Sequence, residues 1–113
     1  MNTSKITDLT YLKDISKGNE DFVKEMIGIF LNETPEEIKR LEKAIDEVNF
    51  EKIKSISHHM KSTIPFMGLD KYINHDIAQI ENLALEKKEI KTIQNCFAHI
   101  KLVCQQAFQE LSV

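Results

Sequence analysis

Three observations predict an all-α fold: an antiparallel up-and-down four-helix bundle with a short additional helix at the N-terminus. Apolar residues recur at steps of three and four along most of the 113 residues. No alternating β-branched run is bounded by an Asn-Gly or Asp-Gly turn. The connections between the periodic stretches are short, which favours antiparallel neighbours.

The first helix is expected over about Leu9 to Ser16, with Lys17-Gly18-Asn19 supplying a stop and then a cap. A longer pattern follows, in which Val23, Ile27, Phe30, Thr34, Ile38, Leu41, Ile45 and Val48 keep one register. Thr34-Pro35-Glu36-Glu37 has the form of a capping box with proline at the first helical position, which would start a new helix. The unbroken register favours instead one long helix, kinked or locally opened at Pro35. Asn49 is placed to cap a third helix from Phe50 towards Phe66 or Met67, with Gly68 as terminator. Pro65 must perturb its last turn, because it cannot donate to the carbonyl of Lys61. Two more patterns complete the bundle: Asp70, Ile73, Ile77, Ile80 and Ala84, then Ile90, Ile93, Phe97, Ile100, Cys104, Ala107 and Leu111. The whole chain, 1–113, is expected to form one domain.

Composition excludes several functions. With three glycines, none clustered, there is no phosphate-cradling loop, so autonomous ATP chemistry is not expected. A net charge of −3 without a basic run argues against nucleic-acid binding. No apolar run approaches the roughly 20 residues of a membrane span, and the N-terminus lacks the features of a signal peptide, so a cytoplasmic protein is expected. Cys96 and Cys104 lie about 12 Å apart along one helix, beyond disulfide reach, and read as free thiols in a reducing compartment. Cys96 and His99 form a C-x-x-H pair that no second pair completes, and read as helix-face residues. No histidine follows a glutamate at three residues, so the Glu-x-x-His pattern of a metal-binding bundle is missing too.

The segment Ser57-His58-His59-Met60-Lys61-Ser62 carries the functional signal. On a helical wheel Ile53, Ile56, Met60, Ile64 and Met67 fall within an arc of about 80°, a core-facing stripe, and His58 points about 160° from its centre. Its neighbours at three and four residues are Lys54, Ser55, Lys61 and Ser62: two cations, two hydroxyls and no carboxylate. That composition suits a phosphate better than a metal. An imidazole is a competent nucleophile at neutral pH, the cations would stabilise phosphoryl oxygens, and hydroxyls such as Ser62 could donate to them. His59, about 100° from the core centre, lies nearer the boundary.

This stretch, with Gly68 ten residues after His58, resembles the histidine-containing phosphotransfer (HPt) domain, and the likeness spans about Phe22 to Glu81. Phe30-Leu31-Asn32-Glu33-Thr34-Pro35, Leu41-Glu42-Lys43-Ala44-Ile45 and Asn49-Phe50-Glu51 are also similar to that family. The resemblance implies that His58 is the phospho-acceptor, Lys61 balances phosphate charge, Ser62 is the small residue that permits close docking, and Gly68 closes the helix. It implies a carrier without kinase activity, taking a phosphoryl group from an aspartyl phosphate on a response-regulator receiver domain and passing it to another receiver. The partners would be receiver domains and a hybrid sensor histidine kinase. No cofactor is bound by this chain in that scheme, since Mg²⁺ comes from the receiver; nucleic acid and membrane play no part, and the protein is a monomer. The self-contained start and end suggest a stand-alone carrier.

Three features depart from the family pattern: Ser62 stands where glycine is commoner, His59 adds a second imidazole, and Pro65, seven residues after His58, sits on the exposed side and is expected to bend the helix beneath the docking surface. His59 is read as a bystander. Leu12 and Ile15 on the first helix are candidate docking contacts, and Glu81 or Gln79 is expected to hold the other ring nitrogen of His58. The nearest rival is the dimerisation helix of a sensor kinase, which places an acidic residue and a proline where this chain has His59 and Thr63. The alternative function is an HPt-like interaction module that binds a kinase or receiver without carrying phosphate.

Overall fold

The structure, a computed structural model, describes residues 5–112. Its elements in chain order are α1 (Thr10–Ser16), α2 (Glu20–Asp46), α3 (Phe50–Thr63), a 3₁₀ turn (Ile64–Met67), α4 (Asp70–Glu86) and α5 (Ile90–Leu111), with no strand among the described residues. Helices α2 to α5 form a closed ring of neighbours, α3 packing most extensively on α4, and α1 lies against α2 and the 3₁₀ turn. Cross-helix pairs give the direction: Phe30 meets Phe108 while Glu42 meets Lys101, and Asp76 meets His99 while Gln79 meets Cys96, so α5 is antiparallel to both α2 and α4. This is the four-helix bundle with an extra N-terminal helix that the sequence predicts. Among the described residues no helix is long and apolar enough to cross a membrane.

Local chemistry sets the helix boundaries. Asn19 and Asn49 each accept a backbone N–H three residues on, from Phe22 and Lys52, and cap α2 and α3. Lys17 ends α1 in the left-handed region and Gly68 ends the 3₁₀ turn at φ 74°. α2 runs through Pro35 without a break, because the buried face formed by Phe30, Thr34, Ile38, Leu41 and Ile45 continues across it. Packing on that face outweighs the one backbone hydrogen bond that proline removes. Pro65 converts the last turn of the third helix to 3₁₀ geometry, the perturbation expected of it.

The predicted stripes fill the core. Ile53, Met60, Ile64 and Met67 meet Ile73, Ile77, Ile80, Ile93, Ile100 and Leu41, all essentially inaccessible. Two expectations are corrected. Val48 does not continue the α2 stripe: the helix ends at Asp46, and Val48 is exposed in the connection at φ 51°, an unfavourable conformation for a β-branched residue. Leu12, a candidate docking contact, is fully buried, whereas Tyr11 and Ile15 are the exposed apolar residues of α1. On a seven-residue helix the apolar positions alone do not show which side faces inward. Both cysteines are free and buried, and burial pushes the Cys104 thiol up to about 12.

The segment before α1 is strapped to the far end of the chain. Glu110 on α5 accepts from the backbone N–H groups of Ile6 and Thr7, each at 3.0 Å, and from Thr7 Oγ1 at 2.7 Å. Partial burial opposes its charge, but these donors prevail and hold its carboxyl at about 2. A carboxylate with a depressed folded-state pKa stabilises the fold above its ordinary value of 4.5, and the contribution disappears as pH falls from there towards 2. Solvent screening keeps it to about 1 kcal/mol. Glu110→Gln should therefore lower stability at pH 7 by about 1 kcal/mol and become indistinguishable from the parent near pH 2. Urea denaturation at several pH values checks this; a deficit that stays constant from pH 7 to pH 2 would contradict it.

Candidate functional site

α3 presents its functional side chains on the face opposite Ile53, Met60 and Ile64. His58 is well exposed, 73% for its side chain, and the wheel position read from the sequence is the one observed. Lys61 and Ser62, one turn on, are exposed beside it, so all three predicted site residues share one ridge. Ser57, between His58 and the core, is fully buried and turns its hydroxyl onto the Ile53 carbonyl at 2.7 Å. This small residue brings α3 close to its neighbours without a polar group left unpaired.

A carboxylate that the α3 sequence lacks comes from α4. Glu81 Oε2 lies 2.8 Å from His58 Nδ1, and its Oε1 accepts from Lys61 Nζ at 3.0 Å. With Glu81 ionised, Nδ1 must be the donor, which places the ring proton there and leaves the Nε2 lone pair outward. Of the two candidates for this role Glu81 fills it; Gln79 instead accepts from the Cys96 thiol at 3.3 Å. Partial burial alone would raise the Glu81 carboxyl, but hydrogen bonds from Lys61 and His58, reinforced by the Lys61 charge, hold it below its ordinary range. Glu81 is therefore the ionised hub of a three-residue network spanning α3 and α4.

The carboxylate beside His58, absent from its neighbours on α3, comes from Glu81, one of the two α4 candidates. One sequence expectation changes in detail. The Ser62 hydroxyl is not available to a ligand as it stands, since it donates to the His59 carbonyl at 2.8 Å. The sequence offered one signal for Glu81: it follows Ile80 directly, on the flank of the α4 stripe. Choosing between Glu81 and Gln79 needs the register of α4 against α3, which periodicity does not carry.

His59 points to the other flank. Its Nδ1 lies 2.6 Å from Glu37 Oε2, a carboxylate of α2 that is nearly buried. Beside it a recess of about 100 Å³ is walled by Met26, Ile29, Phe30, Phe66 and Met67. Phe66 stacks on Tyr11 of α1 with ring centroids 5.9 Å apart, so an apolar surface runs from α1 to the edge of the histidine ridge. His99 is clamped to Asp76 across α4 and α5 at 2.6 Å, a packing role rather than part of the ridge, and His75 is exposed. Among the described residues no three His, Cys, Asp or Glu side chains are grouped to hold a metal ion.

Comparison with known proteins adds one finding. The family model described as "Hpt domain" matches residues 25–111, which takes in α3, α4 and α5 whole and most of α2. No curated protein and no solved structure matches the chain.

Proposed function

As the chain belongs to the Hpt domain family, we propose that it is a phosphorelay intermediate in which His58 takes a phosphoryl group from an aspartyl phosphate on one receiver domain and yields it to another. The observation that carries this reading is the exposed His58 ring with Nδ1 held by Glu81, which leaves Nε2 as an outward nucleophile. Nε2 attacks phosphorus, the bond from phosphorus to the aspartyl oxygen breaks, and the carboxylate departs. The positive charge left on the ring is met by Glu81 across the Nδ1–H.

Lys61 balances charge in this scheme by neutralising Glu81, which would otherwise repel the phosphoryl oxygens. Ser62 keeps the surface beside His58 low, because its hydroxyl folds back on the helix. The receiver supplies Mg²⁺ and the acidic pocket, so the chain acts as a carrier and not as a kinase. Docking uses the ridge together with the apolar surface of Tyr11, Ile15, Ile29 and Phe66, where Leu12 takes no part. A response-regulator receiver and a hybrid sensor kinase are the partners, met by a monomer in the cytoplasm, the reducing compartment that suits two unpaired thiols.

The test is intact-mass measurement after incubation with a phosphorylated receiver domain. One acid-labile phosphoryl group, located on His58 by fragmentation and still gained by His59→Gln, supports the relay. No gain from several receivers or from phosphoramidate leaves an interaction module as the better reading.

A further inference from the structure

Four side chains flank His58 along α3, and the structure divides them into two pairs. On the C-terminal side both are engaged: Lys61 with Glu81 at 3.0 Å, and Ser62 with the His59 carbonyl at 2.8 Å. On the N-terminal side neither the Lys54 ammonium nor the Ser55 hydroxyl makes a hydrogen bond or ion pair among the described residues; the Ser57 hydroxyl donates to the Lys54 backbone carbonyl, which leaves both side chains uncommitted. Lys54 and Ser55 line one recess between α3 and α4 together with His58, Glu81 and Leu85.

We propose that this recess is a phosphoryl-binding subsite: Lys54 and Ser55 seat the oxygens of the group on His58, while Lys61 stays on Glu81. The inference rests on His58 being the acceptor. Electrostatics favours this arrangement. Were Lys61 to leave Glu81 for the phosphoryl group, the freed carboxylate would face a dianion attached to the ring it holds. Lys54 can turn to the phosphoryl group with no existing contact broken, and its charge is one helical turn from His58. Ser55 donates its O–H to a phosphoryl oxygen, a charge-assisted bond that exists only once the group is present. The covalent step is unchanged: Nε2 bonds to phosphorus, the donor's bond to phosphorus breaks, and Nδ1 keeps its proton against Glu81.

Phosphoramidate, a small donor that needs no protein docking, isolates this chemistry. The double variant Lys54→Gln/Ser55→Ala alters half-buried and exposed positions, so its thermal melt should match the parent. Its phosphorylation rate should fall about tenfold, with Lys54→Arg keeping most of the parent rate. The phosphohistidine of the double variant, followed by ³¹P NMR, should also hydrolyse faster. A rate and lifetime within twofold of the parent overturn the proposal, as does a tenfold loss confined to Lys61→Gln. His58→Gln, run alongside, separates the two levels. If it gains phosphoryl as fast as the parent, or if the parent gains none, the assignment of His58 falls and this subsite with it.

Discussion

His58→Gln should fold like the parent and gain no phosphoryl group from a receiver that phosphorylates the parent. The side chain is largely exposed and its one side-chain partner among the described residues is Glu81, which keeps Lys61 when the imidazole is removed. Glutamine is a good helix former and polar, so the change in stability should stay within about 0.5 kcal/mol. Chemically it removes everything, because an amide nitrogen has no lone pair to offer phosphorus at neutral pH. Binding to the receiver should persist within about threefold, since the surrounding apolar surface is untouched. The measurement pairs intact mass with a titration calorimetry isotherm on the same receiver. Full phosphoryl gain by the variant would move the acceptor elsewhere, first to His59, whose Nδ1 is also held by a carboxylate. A relay that functions unchanged with the variant would point to an interaction module.

The parts of this protein that depend on one helix at a time were legible in the sequence. Ile53, Met60, Ile64 and Met67 announce which side of α3 is buried, and His58 follows as exposed by angle alone. The same logic carried α2 across Pro35, where a capping box suggested a break. What was not legible depends on how helices face one another. Glu81 reaches His58 and Lys61 at once because α4 crosses α3 at one register, which no period encodes. Glu37 was invisible for a related reason: a hydropathy pattern reads a glutamate as surface, yet this one is buried against His59 on the α2 face. Ser62 shows a third limit, since a hydroxyl that can bond to its own helix backbone competes with any ligand. The resemblance implies that Lys61 balances phosphate charge and that Ser62 is the small docking-site residue; that Lys61 rests on Glu81 and the Ser62 hydroxyl on its own helix depends on side-chain geometry the motif does not carry.

Gly68→Ala should be the most destabilising of the three glycine-to-alanine substitutions this chain allows. Two independent demands meet at the residue. Its φ is 74°, which costs a non-glycine residue about 1–2 kcal/mol. A Cβ there would also stand 2.6 Å from both the Cβ and the carbonyl oxygen of Asp8 and 2.8 Å from its backbone nitrogen, which are not the yielding tip of a long side chain. The strap must move, and it is held in place by Asp8 N–H donating to the Met67 carbonyl at 3.0 Å and by Glu110 further along. Shifting it pulls on α1 and on Leu12, whose complete burial is worth about 2 kcal/mol. Together these give a loss of about 3 kcal/mol, or a fall in Tm of roughly 10–15 °C. Gly18→Ala is the matched control. That residue also has positive φ, 82°, but nothing lies within 4 Å of where its Cβ would be, so it should lose only the backbone component, about 1 kcal/mol. Equal losses at the two sites would mean that the strap yields freely and that the contact with Asp8 imposes no constraint. A loss at Gly68 that shrinks to the Gly18 value when Glu110 is also changed to Gln would trace the excess to the strap, because a strap already loosened has less to lose.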